Sequence, residues 1–135
     1  MSGPIAALVA AHSTGESAAV GLDHNYVLCE AETETNVLAG GPRTQRLAAV
    51  CTDPASGRRM KVTTDAPGVQ CFTANYPVFD GSLTGKGGVY YPPHAGVCFE
   101  TQHWPDCVNK PHFPNATLEP GQLYCHTWAL GFDNV

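Results

Sequence analysis

The chain has 135 residues, enough for one domain around one core. Only 14% of them are charged, while 14 are Gly and 11 are Pro, a mixture that fits strands joined by irregular loops and not a helical bundle. The net charge of -5 leaves no basic stripe for nucleic acid, and no apolar run approaches the ~20 residues of a membrane span, so neither partner is expected.

In chain order, residues 1–20 are small and polar with no sustained period and read as a poorly ordered lead-in. The apolar stretch 5–11 is short and follows no basic residue, so it does not read as a signal peptide. A strand is predicted over 24–29, and the acidic, then Gly/Pro-rich stretch 30–42 reads as loop. Residues 44–52 alternate, with Leu47, Ala49 and Cys51 on one face, and 58–64 alternate again, with Met60 and Val62 on one side. Between them Asp53-Pro54-Ala55-Ser56-Gly57 is a turn in which Pro presets φ and Gly takes the position needing φ > 0. An antiparallel hairpin follows from that pattern.

After a break at Asp65-Ala66-Pro67-Gly68, residues 69–74 form a predicted strand with Val69, Cys71 and Thr73 on one face and Gln70, Phe72 and Ala74 on the other. Residues 75–95 read as a long loop. Its Gly85-Lys86-Gly87-Gly88 hints at a phosphate cradle but lacks the P-loop spacing and the following helix. Residues 96–102 return to a strand, with Cys98, Glu100 and Gln102 on one face and Val97, Phe99 and Thr101 on the other. Loop is predicted over 104–115, a turn at Glu119-Pro120-Gly121-Gln122, and a closing strand over 123–132, rich in aromatics through Tyr124, Trp128 and Phe132. No amphipathic helix is evident. The expected class is all-β, an antiparallel β-sandwich, and the half-dozen strands with their long loops read as an incomplete part of a larger sandwich.

The six Cys, at 29, 51, 71, 98, 107 and 125, contain no C-x-x-C pair. Cys51, Cys71, Cys98 and Cys125 sit among apolar or β-prone residues and are expected to behave as small hydrophobes in a reducing, cytoplasmic setting. Cys98, His103, Cys107 and His112 can be drawn as a metal-binding module, but their spacing matches no zinc pattern, and no metal is expected. The sequon Asn115-Ala116-Thr117 carries meaning only in a secreted chain.

Glu100 ends a short apolar run and is followed at once by a loop dense in Trp, Pro, Asp and Asn. A carboxylate there costs free energy if buried alone, so it is either held by hydrogen bonds or kept for chemistry. A general base needs such a place, fixed by a strand and facing a cleft. The plain alternative is a solvated Glu at a strand end.

Seven segments in order carry a family resemblance. They are Leu22-Asp23-His24-Asn25-Tyr26-Val27-Leu28, Asp53-Pro54-Ala55-Ser56-Gly57-Arg58, Ala66-Pro67-Gly68-Val69-Gln70-Cys71-Phe72-Thr73-Ala74-Asn75, Gly85-Lys86-Gly87-Gly88, Phe99-Glu100-Thr101-Gln102-His103-Trp104-Pro105-Asp106, Asn109-Lys110-Pro111-His112-Phe113-Pro114-Asn115 and Leu118-Glu119-Pro120-Gly121. Over about residues 21–132 the chain resembles the C-terminal part of the aldose 1-epimerase (galactose mutarotase) family, so 21–135 is expected to be the C-terminal part of such a sandwich, while 1–20 show no clear match.

The resemblance implies a sugar cleft on a β-sandwich, acting on hexoses such as galactose and glucose without metal or organic cofactor. It implies that Glu100 is the general base, and that Asp23 and Gln70 contact sugar hydroxyls, with Trp104 or Phe72 available to stack on the ring. Taken without it, Gln70 reads equally as a satisfied core amide and Asp23 as a turn or cap carboxylate. A carboxylate with a modestly raised pKa paired with a His suits proton exchange near neutral pH. The family's acid is a His of the N-terminal half, and none of His12, His24, His94, His103, His112 and His126 stands in that motif. The expectation is a fragment lacking the acid. The alternatives are a non-catalytic carbohydrate-binding half-domain and the metal-binding module.

Overall fold

The computed structural model describes residues 21–28, 44–75 and 84–135. The lead-in 1–20, the loop 30–42, Cys29 and part of the loop 75–95 lie outside them. Among the described residues there is no α-helix. Six strands, β1 (Asp23–Val27), β2 (Arg46–Thr52), β3 (Arg58–Thr64), β4 (Gly68–Phe72), β5 (Cys98–Gln102) and β6 (Trp128–Asn134), form two three-stranded sheets, ordered β1-β4-β5 and β2-β3-β6. The all-β, sandwich-like class expected from the alternating strands is the one observed.

The described residues fall into two compact units, one of 21–24, 71–75 and 84–98, the other of 25–28, 44–70 and 99–135. The first is organised around Thr73. The Leu22 amide donates to Thr73 Oγ1 at 2.8 Å, while the Leu22 carbonyl accepts from the Thr73 amide at 3.0 Å and from Asn75 Nδ2 at 2.8 Å. Thr73 and Asn75 are buried, so these bonds meet the cost of removing their polar atoms from water. A Cβ at Gly21 would collide with both side chains, so that position admits only glycine. The alternation predicted for β4 holds: Val69, Cys71 and Thr73 are buried, and Gln70, Phe72 and Ala74 are half-buried. The Gly85-Lys86-Gly87-Gly88 segment is an exposed 3-10 turn with Gly87 and Gly88 at positive φ.

The second unit contains the predicted hairpin. β2 and β3 pair antiparallel, with Cys51 opposite Met60 and Thr52 opposite Arg59. Asp53 closes the turn: its amide donates to the Arg58 carbonyl and its carbonyl accepts from the Gly57 amide, both at 2.8 Å, with Gly57 at φ +71°. The Asp53 carboxylate accepts from the Ser56 hydroxyl at 2.5 Å and the Ala55 amide at 3.1 Å, and the Ser56 bond foremost holds its pKa below the ordinary value.

The register shifts between Leu47 and Ala49, where Ala48 is the extra residue of a bulge. This corrects the simple alternation expected of β2. Leu47 stands opposite Thr63 and Ala49 opposite Val62, so Leu47 lies on the other face from Ala49 and Cys51.

β6 pairs antiparallel with β3, Thr64 opposite Trp128, Val62 opposite Leu130 and Met60 opposite Phe132. Ala49, Cys51, Met60, Val62, Leu130, Phe132 and Trp128 therefore share one apolar face. The reverse face is charged. Arg59 grips Asp133 through two nitrogens, at 2.6 and 2.9 Å, and Lys61 Nζ adds a third contact at 2.8 Å. Those hydrogen bonds, from Arg59 first and Lys61 second, hold the Asp133 carboxyl far below the usual carboxylate range.

The strand expected over 123–132 begins only at Trp128. Thr127 explains the difference, because its amide is taken by a side chain and not by the backbone carbonyl opposite it. Its carbonyl accepts from the Asp65 amide at 3.1 Å and from Gln45 Nε2 at 3.2 Å, and its amide donates to the Asp65 carboxylate at 3.1 Å. Cys98 and Cys125, expected to act as small hydrophobes, are exposed; of the described cysteines only Cys71 is buried, and all are free thiols.

Candidate functional site

Gln70 and Glu100 reach neighbouring strands of one unit. β4 lies beside β5, Gln70 is half-buried near the middle of β4, and Glu100 is exposed at the middle of β5. Asp23 belongs to the other unit, at the start of β1, where it is exposed and its amide donates to His24 Nδ1 at 3.1 Å. A strand supplies what a reacting carboxylate requires, a backbone fixed by its ladder with the side chain perpendicular to the sheet.

A corner of four buried residues, 65–68, leads into the strand that carries Gln70. The Pro67 carbonyl accepts two hydrogen bonds, from the Leu28 amide at 2.8 Å and from Trp104 Nε1 at 3.0 Å. Trp104 also stacks edge-on against Phe113, ring centres 4.9 Å apart. Its indole is thereby fixed by a structural bond, a role that the sequence reading of a sugar-stacking aromatic did not include. Gly68 is required here, since a Cβ would come within 2.7 Å of Asn25 Oδ1 and 3.0 Å of Trp104 Cδ1. The loop after β5 braces itself: Asn109 Nδ2 donates to Asp106 Oδ1 at 2.5 Å, and Lys110 Nζ lies 3.3 Å from Asp106 Oδ2.

A second group was not singled out from the sequence. Asp65 is 3% exposed, and its Oδ1 lies 2.7 Å from His126 Nδ1, whose Nε2 lies 3.0 Å from Thr101 Oγ1. A carboxylate accepts, so His126 Nδ1–H donates to Asp65, and Nε2 shares the hydrogen bond with the Thr101 hydroxyl. Thr101 follows Glu100 in β5, and consecutive strand residues face opposite ways, so this carboxylate–imidazole–hydroxyl chain anchors the reverse side of the strand that carries Glu100. The only sequence signal was the break at Asp65-Ala66-Pro67-Gly68, which marks a turn and nothing of its long-range partner.

The groove lined by Cys51, Asp53, Arg58, Arg59, Met60, Phe132, Asp133 and Asn134, about 570 Å³, contains none of the three sequence-predicted site residues. Among the described residues no grouping of three or more His, Cys, Asp or Glu is placed to hold a metal ion, and no helix is long and apolar enough to cross a membrane.

The family model for aldose 1-epimerase matches residues 7–131, taking in part of the lead-in where no motif match was read. The chain is 45% identical over 107 residues to galactose mutarotase of Mus musculus and 44% identical over 107 residues to galactose mutarotase of Homo sapiens, covering in each case 79% of this chain and 28% of the relative. It is also 36% identical over 67 residues to epimerase FSL3 of Gibberella zeae, covering 49% of this chain and 15% of that protein. The chain thus spans just over a quarter of the length of the mutarotases it matches.

Proposed function

The chain belongs to the aldose 1-epimerase family, and from that premise we propose that it carries the base and hydroxyl-recognition part of a site interconverting the α and β anomers of a hexose such as galactose or glucose. Glu100 takes the proton of the anomeric hydroxyl. An acid protonates the ring oxygen as the bond between C1 and that oxygen breaks, leaving the open-chain aldehyde. Rotation about C1–C2 and closure on the other face return both protons with the roles exchanged. Gln70 on the neighbouring strand, and Asp23 by its motif, contact sugar hydroxyls. The acid is assigned outside these 135 residues.

The observation that supports this reading best is the placement of Gln70 and Glu100 on adjacent strands, inside the segment matched by the family model. Its test has two arms. Galactose added to the isotope-labelled chain should shift the NMR signals of Gln70 and Glu100, and neither moving would sink the sugar-site reading. Polarimetry of fresh α-galactose should show at most a small acceleration, since losing one member of an acid–base pair costs about 10²–10⁴-fold. A fast rate abolished by Glu100→Gln would instead put the acid within this chain. Binding without turnover, whatever chain is added, would favour a carbohydrate-binding half-domain.

A further inference from the structure

Gln70 and Glu100 stand on different strands, so a ligand that meets both depends on where β5 lies against β4. Two ties join β5 to the corner from which β4 starts. Trp104, just past the end of β5, donates to the Pro67 carbonyl at 3.0 Å. Thr101, within β5, reaches the same corner through His126: its Oγ1 lies 3.0 Å from His126 Nε2, and His126 Nδ1 donates to Asp65 Oδ1 at 2.7 Å. Both ties lie in the unit that holds Gln70 and Glu100. The imidazole acts as a rigid spacer. Both ring nitrogens are engaged, one toward each partner, so the ring cannot turn about its own bond without losing one of them. The far end is fixed as well, since Asp65 is 3% exposed and both its carboxylate oxygens accept from the Thr127 amide at 3.1 Å. The same carboxylate thus seats the ring and the backbone next to it.

Thr101 is half-buried and Glu100, on the opposite face of β5, is exposed. A tie through Thr101 can therefore set the strand without occupying the side on which Glu100 would meet a sugar. We infer that His126 is a positioning residue for Glu100: with Asp65 and Thr101 it sets how β5 presents that carboxylate beside Gln70, so that both can meet one hexose. This rests on the proposed sugar site. His126 itself takes no part in proton exchange at the sugar, because its ring is engaged with Asp65 and Thr101 on the reverse side of the strand. A site group meets its ligand well only when held to within about 0.5 Å, and hydrogen bonds behind it supply that placement.

The experiment cuts only the link between His126 and Thr101, from either end, in the whole 135-residue chain. Thr101→Val replaces the hydroxyl by a methyl on an equally strand-prone side chain. His126→Asn keeps an amide able to donate to Asp65 but is too short to reach Thr101. Each is read by amide hydrogen exchange without sugar and by NMR titration with galactose. Either variant should speed exchange of the β5 amides about tenfold, leave those of the β2–β3 hairpin unchanged, and raise the galactose Kd about tenfold, the worth of one hydrogen bond. The doubly substituted chain should match the single ones, since both changes cut the same link. Thr101→Ser should restore both values. Asp133→Asn, on the charged face of the other sheet, serves as the stability control and should leave the Kd unchanged. The inference is overturned by β5 exchange or a Kd that neither variant moves, by equal loss of protection throughout the chain, or by effects that add in the double variant. A wild-type chain that binds no galactose sinks the proposed sugar site instead, and the exchange measurements then decide by themselves whether His126 places β5.

Discussion

β3 and β6 are register partners in one sheet, yet their side chains meet opposite environments. Val62 is 2% exposed and its partner Leu130 44%; Thr64 is 0% exposed and its partner Trp128 55%. Both strands alternate and both turn apolar side chains to the same face. The difference lies in what surrounds them. β3 has β2 on one side and β6 on the other, and its C-terminal end runs into the corner tied by Thr127, Leu28 and Trp104. β6 has a described neighbour on one side only. Alternation decides which way a side chain points, but a second layer or a further strand decides whether it is buried.

Substitutions can break that contrast. The largest expected effect is at the corner. Asp65→Ala leaves the Thr127 amide and the His126 ring without their carboxylate, and should lower stability by about 3 kcal/mol in urea unfolding. A smaller, pH-dependent effect is expected on the charged face. Because the Asp133 carboxyl is held low by Arg59 and Lys61, its pairs stabilise the chain above the unfolded carboxyl pKa of about 4 and lose that effect as pH falls through the folded value. The gap in Tm between wild type and Asp133→Asn should therefore be widest near neutrality and close towards strong acid. The smallest effect is at Phe132, 72% exposed. Phe132→Ser should change stability by less than about 0.5 kcal/mol. If Phe132→Ser costs as much as Asp65→Ala, burial and not mere orientation would have to be granted to β6.

Much of this was legible in the chain. The hairpin turn was, because Asp53, Ser56 and Gly57 act on their own local backbone, and local geometry is what residue type encodes. The buried face of β4 was, because Val69, Cys71 and Thr73 keep a strict period of two. The start of β6 was not. Tyr124 and Leu123 continue the strand-like pattern, and only Asp65, 62 residues away, removes Thr127 from the ladder. The bulge at Ala48 was hidden for a similar reason, since a run of small residues gives the same alternation in either register. Of the candidate site, the strands that carry Gln70 and Glu100 were visible as alternating runs, whereas the Asp65–His126–Thr101 chain joins three segments that no local pattern connects.

The Pro67 carbonyl has a consequence for how the chain reaches its native state. Its two donors come from Leu28, early in the chain, and from Trp104, 37 residues further on. Beside it, Asp65 waits for His126, 61 residues away. None of these partners can be found by local search, and each closes a long loop before any contact rewards it. The hairpin of β2 and β3 is complete within a few residues, so it can form early. The corner that braces the strand of Glu100 is therefore expected to close after the hairpin, which a slower refolding phase lost from Asp65→Ala would show.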